Sequence, residues 1–247
     1  MQAKSSIVAA VLVAALAGGT QAAEVKVLSS NAVKTALEEL APQFEKATEH
    51  KLTITFGTAA GLKTNIENGE TFDVAILTAG AVDDLIRQGK VATRTDLVRS
   101  GAGVAVRKGA PKPDISTTDA FKRALIAAKS IGYVEQGATG IYLKGLLERL
   151  GIAEELRPKI KLLKTNAAQA VADGEAEIGM TQISEILPFP GAELVGPLPA
   201  EIQLHTVFPA GLGAGARQPE AARALIAFLT APPAAAVFKA KGLDPAK

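Results

Sequence analysis

Val25 to Phe44 reads VKVLSSNAVKTALEELAPQF, and its two halves keep different periods. Val25-Lys26-Val27-Leu28 is a short apolar-rich run of strand type, whereas Val33, Leu37, Leu40 and Phe44 recur at helical spacing. Between them stand Ser29-Ser30-Asn31-Ala32, small polar residues of the kind that begin helices. The unit is strand, polar turn, helix, and it recurs. Leu52 to Phe56 (LTITF) is a strand ended by Gly57, with a helix from Gly61 to Glu67 that stops at Asn68-Gly69. Asp73 to Leu77 (DVAIL) is a third strand, and its helix runs from Ala81 to Arg87 and closes at Gly89. Strand–helix units in series predict an α/β protein with parallel pairing.

Gly101 to Val106 (GAGVAV) reads as a crossing into a second lobe with the same plan. Helices are expected over Asp119–Ala128, Thr139–Leu150 and Asn166–Ala172, and strands over Ile131–Val134, Ile160–Leu163 and Ala176–Met180. The proline-rich stretch Pro188 to Pro199 reads as loop, interrupted by Glu193-Leu194-Val195. Gln203 to Phe208 returns the chain to the first lobe, completed by Ala-rich helices Pro219–Leu229 and Pro233–Lys241. The expected division is residues 23–102 with 206–247 in lobe 1 and 103–205 in lobe 2. Each lobe is a mixed, mainly parallel sheet flanked by helices, and two hinge crossings join them.

The N-terminus predicts export. Lys4 precedes the apolar run Ile7 to Ala17, Gly18-Gly19 break it, and Thr20-Gln21-Ala22 offers the small residues of a cleavage site. Residues 1–22 are therefore expected to be a signal peptide cut after Ala22, and the run is too short to span a bilayer, which takes about 20 apolar residues. With no cysteine in the chain, no lipid-anchored form, disulfide or thiolate metal site is expected. Beyond Lys4, 26 basic residues face 25 acidic ones, so nucleic acid is not an expected partner. His50 and His205 form no ligand-spaced pair, and neither metal nor cofactor is expected. The absence of Trp and the presence of two Tyr argue against a sugar-stacking site.

Ligands of open α/β sheets bind beyond the carboxyl ends of strands, where helix first turns present free N–H groups to anions. The turns of that kind are Ser29–Ala32, Gly57–Gly61, Leu77–Gly80, Gly137–Gly140, Thr165–Ala167 and Thr181-Gln182. Any one of these Ser, Thr or Asn residues is explained as an ordinary helix cap. Their repetition in both lobes points to an anion held between facing helix starts.

Several stretches resemble the molybdate-binding family of ABC-transporter solute receptors. They are Val27 to Phe44, Phe56 to Gly69 (FGTAAGLKTNIENG), Phe72-Asp73-Val74, Ala138-Thr139-Gly140-Ile141-Tyr142 and Gly174 to Gly179 (GEAEIG). The resemblance implies the two-lobed type II periplasmic-binding-protein fold, a periplasmic monomer, a small anionic ligand (carboxylate or oxyanion) and an ABC permease as partner. It also implies site positions. Where that family carries two serines and a tyrosine, this chain has Ala32, Ala59 and Gln182, while the Thr139-Gly140 turn is kept and a backbone donor falls near Lys164. Each charge-assisted bond lost to such a change costs about 1.5–3 kcal/mol, so an anion other than molybdate is expected. A one-residue shift would bring in Ser30 or Thr58. Asn31, Thr58, Thr139 and Gln182, with Thr78 at the third turn, are hydrogen-bonding residues suited to a carboxylate, and Lys63 is a candidate charge partner. Some proteins similar to molybdate binders are aconitate isomerases. The expected function is thus capture of an anion for transport, with aconitate isomerisation as the alternative. For the latter the candidate bases are Glu135, Glu185 and His205.

Overall fold

The computed structural model describes residues 22–246, so the expected leader, apart from Ala22, lies outside the described residues. In chain order the elements are β1 (Glu24–Ser30), α1 (Lys34–Thr48), β2 (Lys51–Gly57), α2 (Ala59–Glu67), β3 (Val74–Ile76), α3 (Ala79–Arg87) and β4 (Val91–Arg107). There follow α4 (Thr118–Ala127), β5 (Ile131–Val134), α5 (Ala138–Arg149), α6 (Ala153–Leu156), β6 (Ile160–Leu163), α7 (Ala167–Asp173), β7 (Ile178–Gln182), α8 (Ile183–Ile186) and β8 (Ala192–Pro197). The chain closes with β9 (His205–Gly213), α9 (Pro219–Thr230), α10 (Pro232–Ala240) and β10 (Asp244–Pro245).

The strand order is β2-β1-β3-β9-β4-β7-β5-β6, with β8 and β10 also on β4. Two parallel triplets, β2-β1-β3 and β7-β5-β6, stand at either side of the antiparallel pair β9 and β4. β4 belongs to both halves. It pairs with β9 as far as Gly101 and with β7 from Ala102 onward, so one continuous strand carries the first crossing. Gln203-Leu204 leading into β9 makes the second.

Both faces of each triplet are covered. In β1, Val25 and Val27 join Leu37, Leu40, Phe44, Phe208 and Phe238 in one core, while Leu28 joins Leu62, Ile66 and Leu85 on the opposite face. That is the period-2 alternation of a strand buried on both sides. In the second half, Val104 packs with Phe121, Tyr133 and Leu146, and its neighbour Ala105 with Val171 and Ile186. Burial of side chains such as Phe44 and Phe121 contributes about 1.5–3 kcal/mol apiece.

The structure differs from the sequence reading chiefly around the crossings. The strand anticipated at Gly101–Val106 begins at Val91, and that anticipated at Gln203–Phe208 runs from His205 to Gly213. Register shifts between Val91 and Thr93 and between Asp96 and Val98 reset the alternation that would have marked β4 as a strand.

Candidate functional site

In-register pairing places the helix starts. Ser30 of β1 lies beside Gly57 of β2, so the turns that follow open side by side at one end of the sheet. Ser30 Oγ accepts from Ala32 N–H at 3.4 Å, fixing a 3-10 turn over Asn31–Val33 that leads into α1. Thr58 Oγ1 accepts from Gly61 N–H at 3.1 Å and caps α2. In the other half, Val134 of β5 is level with Leu163 of β6. Asn166 Oδ1 caps α7 by accepting from Ala168 N–H at 2.7 Å. The start of α5 has Gly137 as its N-cap and no side-chain cap. Gly140 must be glycine there, because a Cβ would sit 2.0 Å from the Val134 carbonyl oxygen.

These starts converge on one cavity of about 90 Å³ between the halves of the molecule. Ser30, Asn31, Ala32, Thr58, Ala59, Thr139, Gly140, Lys164 and Gln182 all line it. Thr78 does not. It belongs with Lys63 and His205 to an adjoining cavity, because α3 begins beyond β3, on the side of β1 away from β2 and next to β9. Lys63 is engaged with Glu67 at 2.7 Å and Asp84 at 3.6 Å. Glu135 and His205 are exposed and stand outside the first cavity.

Glu185 is the candidate base that the fold brings in. It lines the cavity and sits in the first turn of α8, where its Oε2 accepts from the Thr181 hydroxyl and, at 3.4 Å, from Gln182 N–H. Burial pushes its carboxyl above the ordinary value of 4.5, and the two hydrogen bonds only partly oppose that. Gln182 is 2% exposed and its Nε2 donates to the hydroxyls of Thr139, at 2.9 Å, and Thr206, at 3.2 Å. Its Oε1 is buried and faces the Glu185 N–H as in a capping box, without closing to full hydrogen-bond geometry.

Helix first turns, hydroxyls and an amide thus surround a carboxyl group, with exposed Lys164 as the cation in the lining. Such a site attracts an anion through N–H groups and helix dipoles, and offers it one proton donor or acceptor. Thr206 and Phe208 were not anticipated. Phe208 is an apolar wall residue 1% exposed, and nothing local in the sequence separates it from the core. Among the described residues no group of three His, Cys, Asp or Glu is arranged to hold a metal ion.

Comparison with known proteins extends the picture. A family profile described as bacterial extracellular solute-binding protein matches residues 25–244. An aconitate isomerase from Pseudomonas sp is 37% identical over 228 residues, covering 89% of this chain and 87% of that protein. The molybdate-binding protein of Azotobacter vinelandii is 29% identical, covering 96% of each. The solved structure of the A. vinelandii periplasmic molybdate-binding protein superposes with a TM-score of 0.77 at 22% identity, over 90% of this chain and 100% of that one. The superposition shows the fold expected from the sequence, the type II periplasmic-binding arrangement.

Proposed function

Since the chain belongs to the bacterial extracellular solute-binding protein family, we propose that it binds a small organic polyacid outside the cytoplasm and isomerises it, with trans- and cis-aconitate as the interconverted pair. The observation that carries this reading is the Glu185 carboxyl in the anion cavity. Binding an anion does not require a desolvated carboxyl, whereas an allylic isomerisation uses a group that both takes and returns a proton. Ionised Glu185 removes a proton from the substrate methylene. The electron pair of that C–H bond forms the new double bond, the old double bond shifts its electrons to the former vinyl carbon, and Glu185 returns the proton there. Atoms and charge balance without a co-reactant. The uncapped N–H groups at the start of α5 meet the carboxylate onto which negative charge spreads between the two transfers, while the Gln182 amide holds the Thr139 hydroxyl in place. Residues 23–102 with 206–247 and residues 103–205 act as the lobes that close on the substrate.

The test is direct. Purified protein lacking residues 1–22 is incubated with trans-aconitate and the products are separated by chromatography. Catalytic appearance of cis-aconitate is expected, and its absence at high enzyme concentration ends the proposal. The small volume of the first cavity favours a second reading, a receptor delivering a compact oxyanion to a permease. Micromolar binding of molybdate or sulfate in calorimetry, without turnover of any aconitate, would establish that reading instead.

A further inference from the structure

The first cavity, at about 90 Å³, is smaller than the roughly 150 Å³ that takes a benzene ring in another protein. A tricarboxylate of about a dozen non-hydrogen atoms exceeds it on the same scale. A second cavity of about 570 Å³ adjoins it, in the size range of small-molecule sites. Ala59 and Ala138 line both, so the two spaces meet at these residues. Ala59 starts α2 in one half of the molecule and Ala138 starts α5 in the other.

We propose that the two cavities form one slot in which the second holds the distal arm of an elongated polycarboxylate and selects for chain length. The idea rests on the polyacid reading above. One carboxylate and the reacting carbons occupy the first cavity, the chain passes between Ala59 and Ala138, and the remaining arm lies in the second. The wall there is largely apolar, with Ile141 60% exposed at it, and its charged groups Lys63 and Asp84 are paired with each other. Lys63 uses its charge on Glu67 and, at 3.6 Å, on Asp84, which Arg87 also contacts. Its ammonium keeps a proton for an incoming carboxylate, and His205 faces the same space. A site of this kind reads shape and length more than charge.

Two substitutions fill the second cavity from opposite sides. A Cβ at Gly80 meets nothing within 4 Å, so Gly80→Leu projects into open space without disturbing the fold. Ile141→Trp does the same from the other lobe, at an exposed position. Melting curves without ligand should match those of the unsubstituted protein, and trans-aconitate binding by calorimetry should weaken tenfold or more in each. Unchanged trans-aconitate affinity in both variants overturns the slot. Unsubstituted protein that binds trans-aconitate without converting it, with both variants weakened, leaves the slot standing and removes the isomerase. Failure of the unsubstituted protein to bind trans-aconitate removes both.

Discussion

The cavity has two walls of unlike character. On the wall made by β1 and β2, the hydroxyls are engaged with their own helices, Ser30 with Ala32 N–H and Thr58 with Gly61 N–H, and alanine occupies positions 32 and 59. None of Ser30, Asn31, Ala32, Thr58 or Ala59 titrates. On the wall made by β5, β6 and β7, the α5 start has no side-chain cap, Gln182 ties Thr139 to Thr206, and Glu185 supplies a carboxyl. One wall is a settled surface of capped turns. The other holds a desolvated acid, a cost to folding that a reaction would explain.

Removing the acid gives the largest expected effect. Glu185→Gln keeps the shape and the acceptor oxygen for Thr181 but cannot carry a proton between carbons. Turnover of trans-aconitate should fall about 10²–10⁴-fold, the range for loss of a general base, with affinity kept within about tenfold. A variant that retains its rate would show that the second wall is as passive as the first.

A pair of glycines compares the walls as scaffolds. Gly140 and Gly61 both lie in the first turn of a helix at the cavity. Gly140→Ala drives a methyl to 2.0 Å from the Val134 carbonyl, which is backbone and cannot rotate away. The cost is expected near 3 kcal/mol, at the upper end for overpacking, or a fall of about 6–12 °C in melting temperature. Gly61→Ala meets only Thr58 Oγ1 at 3.0 Å, a side chain able to shift, and gains helix propensity. Its stability should change by less than about 1 kcal/mol. Thermal denaturation of the two proteins decides, and equal effects would contradict the comparison.

How far each wall was legible follows from the same physics. The polar turns after β1, β2, β5 and β6 stand out because capping and strand alternation are local, and the Thr139-Gly140 turn adds the mark of close packing. Thr78 looked alike in sequence, yet strand order put its helix against β9 and outside the cavity. Glu185 was one of three candidate bases, with Glu135 and His205, that the chain alone could not rank. Its place depends on α8 turning back directly after β7, and on burial by parts of the chain far away in sequence. Phe208 and Thr206 became cavity neighbours only through the second crossing, where antiparallel pairing of β9 with β4 sets their position. The register shifts in β4 hid that strand for a related reason, since each one swaps which residues face the core.

The smallest effect concerns stability and pH, and it separates the walls most cleanly. Glu185 has its carboxyl pushed up from 4.5 in the folded protein. Below that ordinary value both folded and unfolded forms hold the proton, and the group favours folding fully. As pH rises above it, the unfolded chain releases its proton while the folded one keeps it, so stability declines until the folded carboxyl ionises as well. Glu185→Gln lacks this decline. Chemical denaturation from about pH 4 to pH 8 should therefore show the variant gaining on the unsubstituted protein as pH rises. The first wall provides the control. Thr58→Ala removes a cap worth about 1 kcal/mol and no titrating group, so its deficit should stay level across the same range. A Glu185→Gln difference that is flat or falls with pH would mean that the carboxyl is ordinary, and the contrast between the walls would then reduce to capping alone.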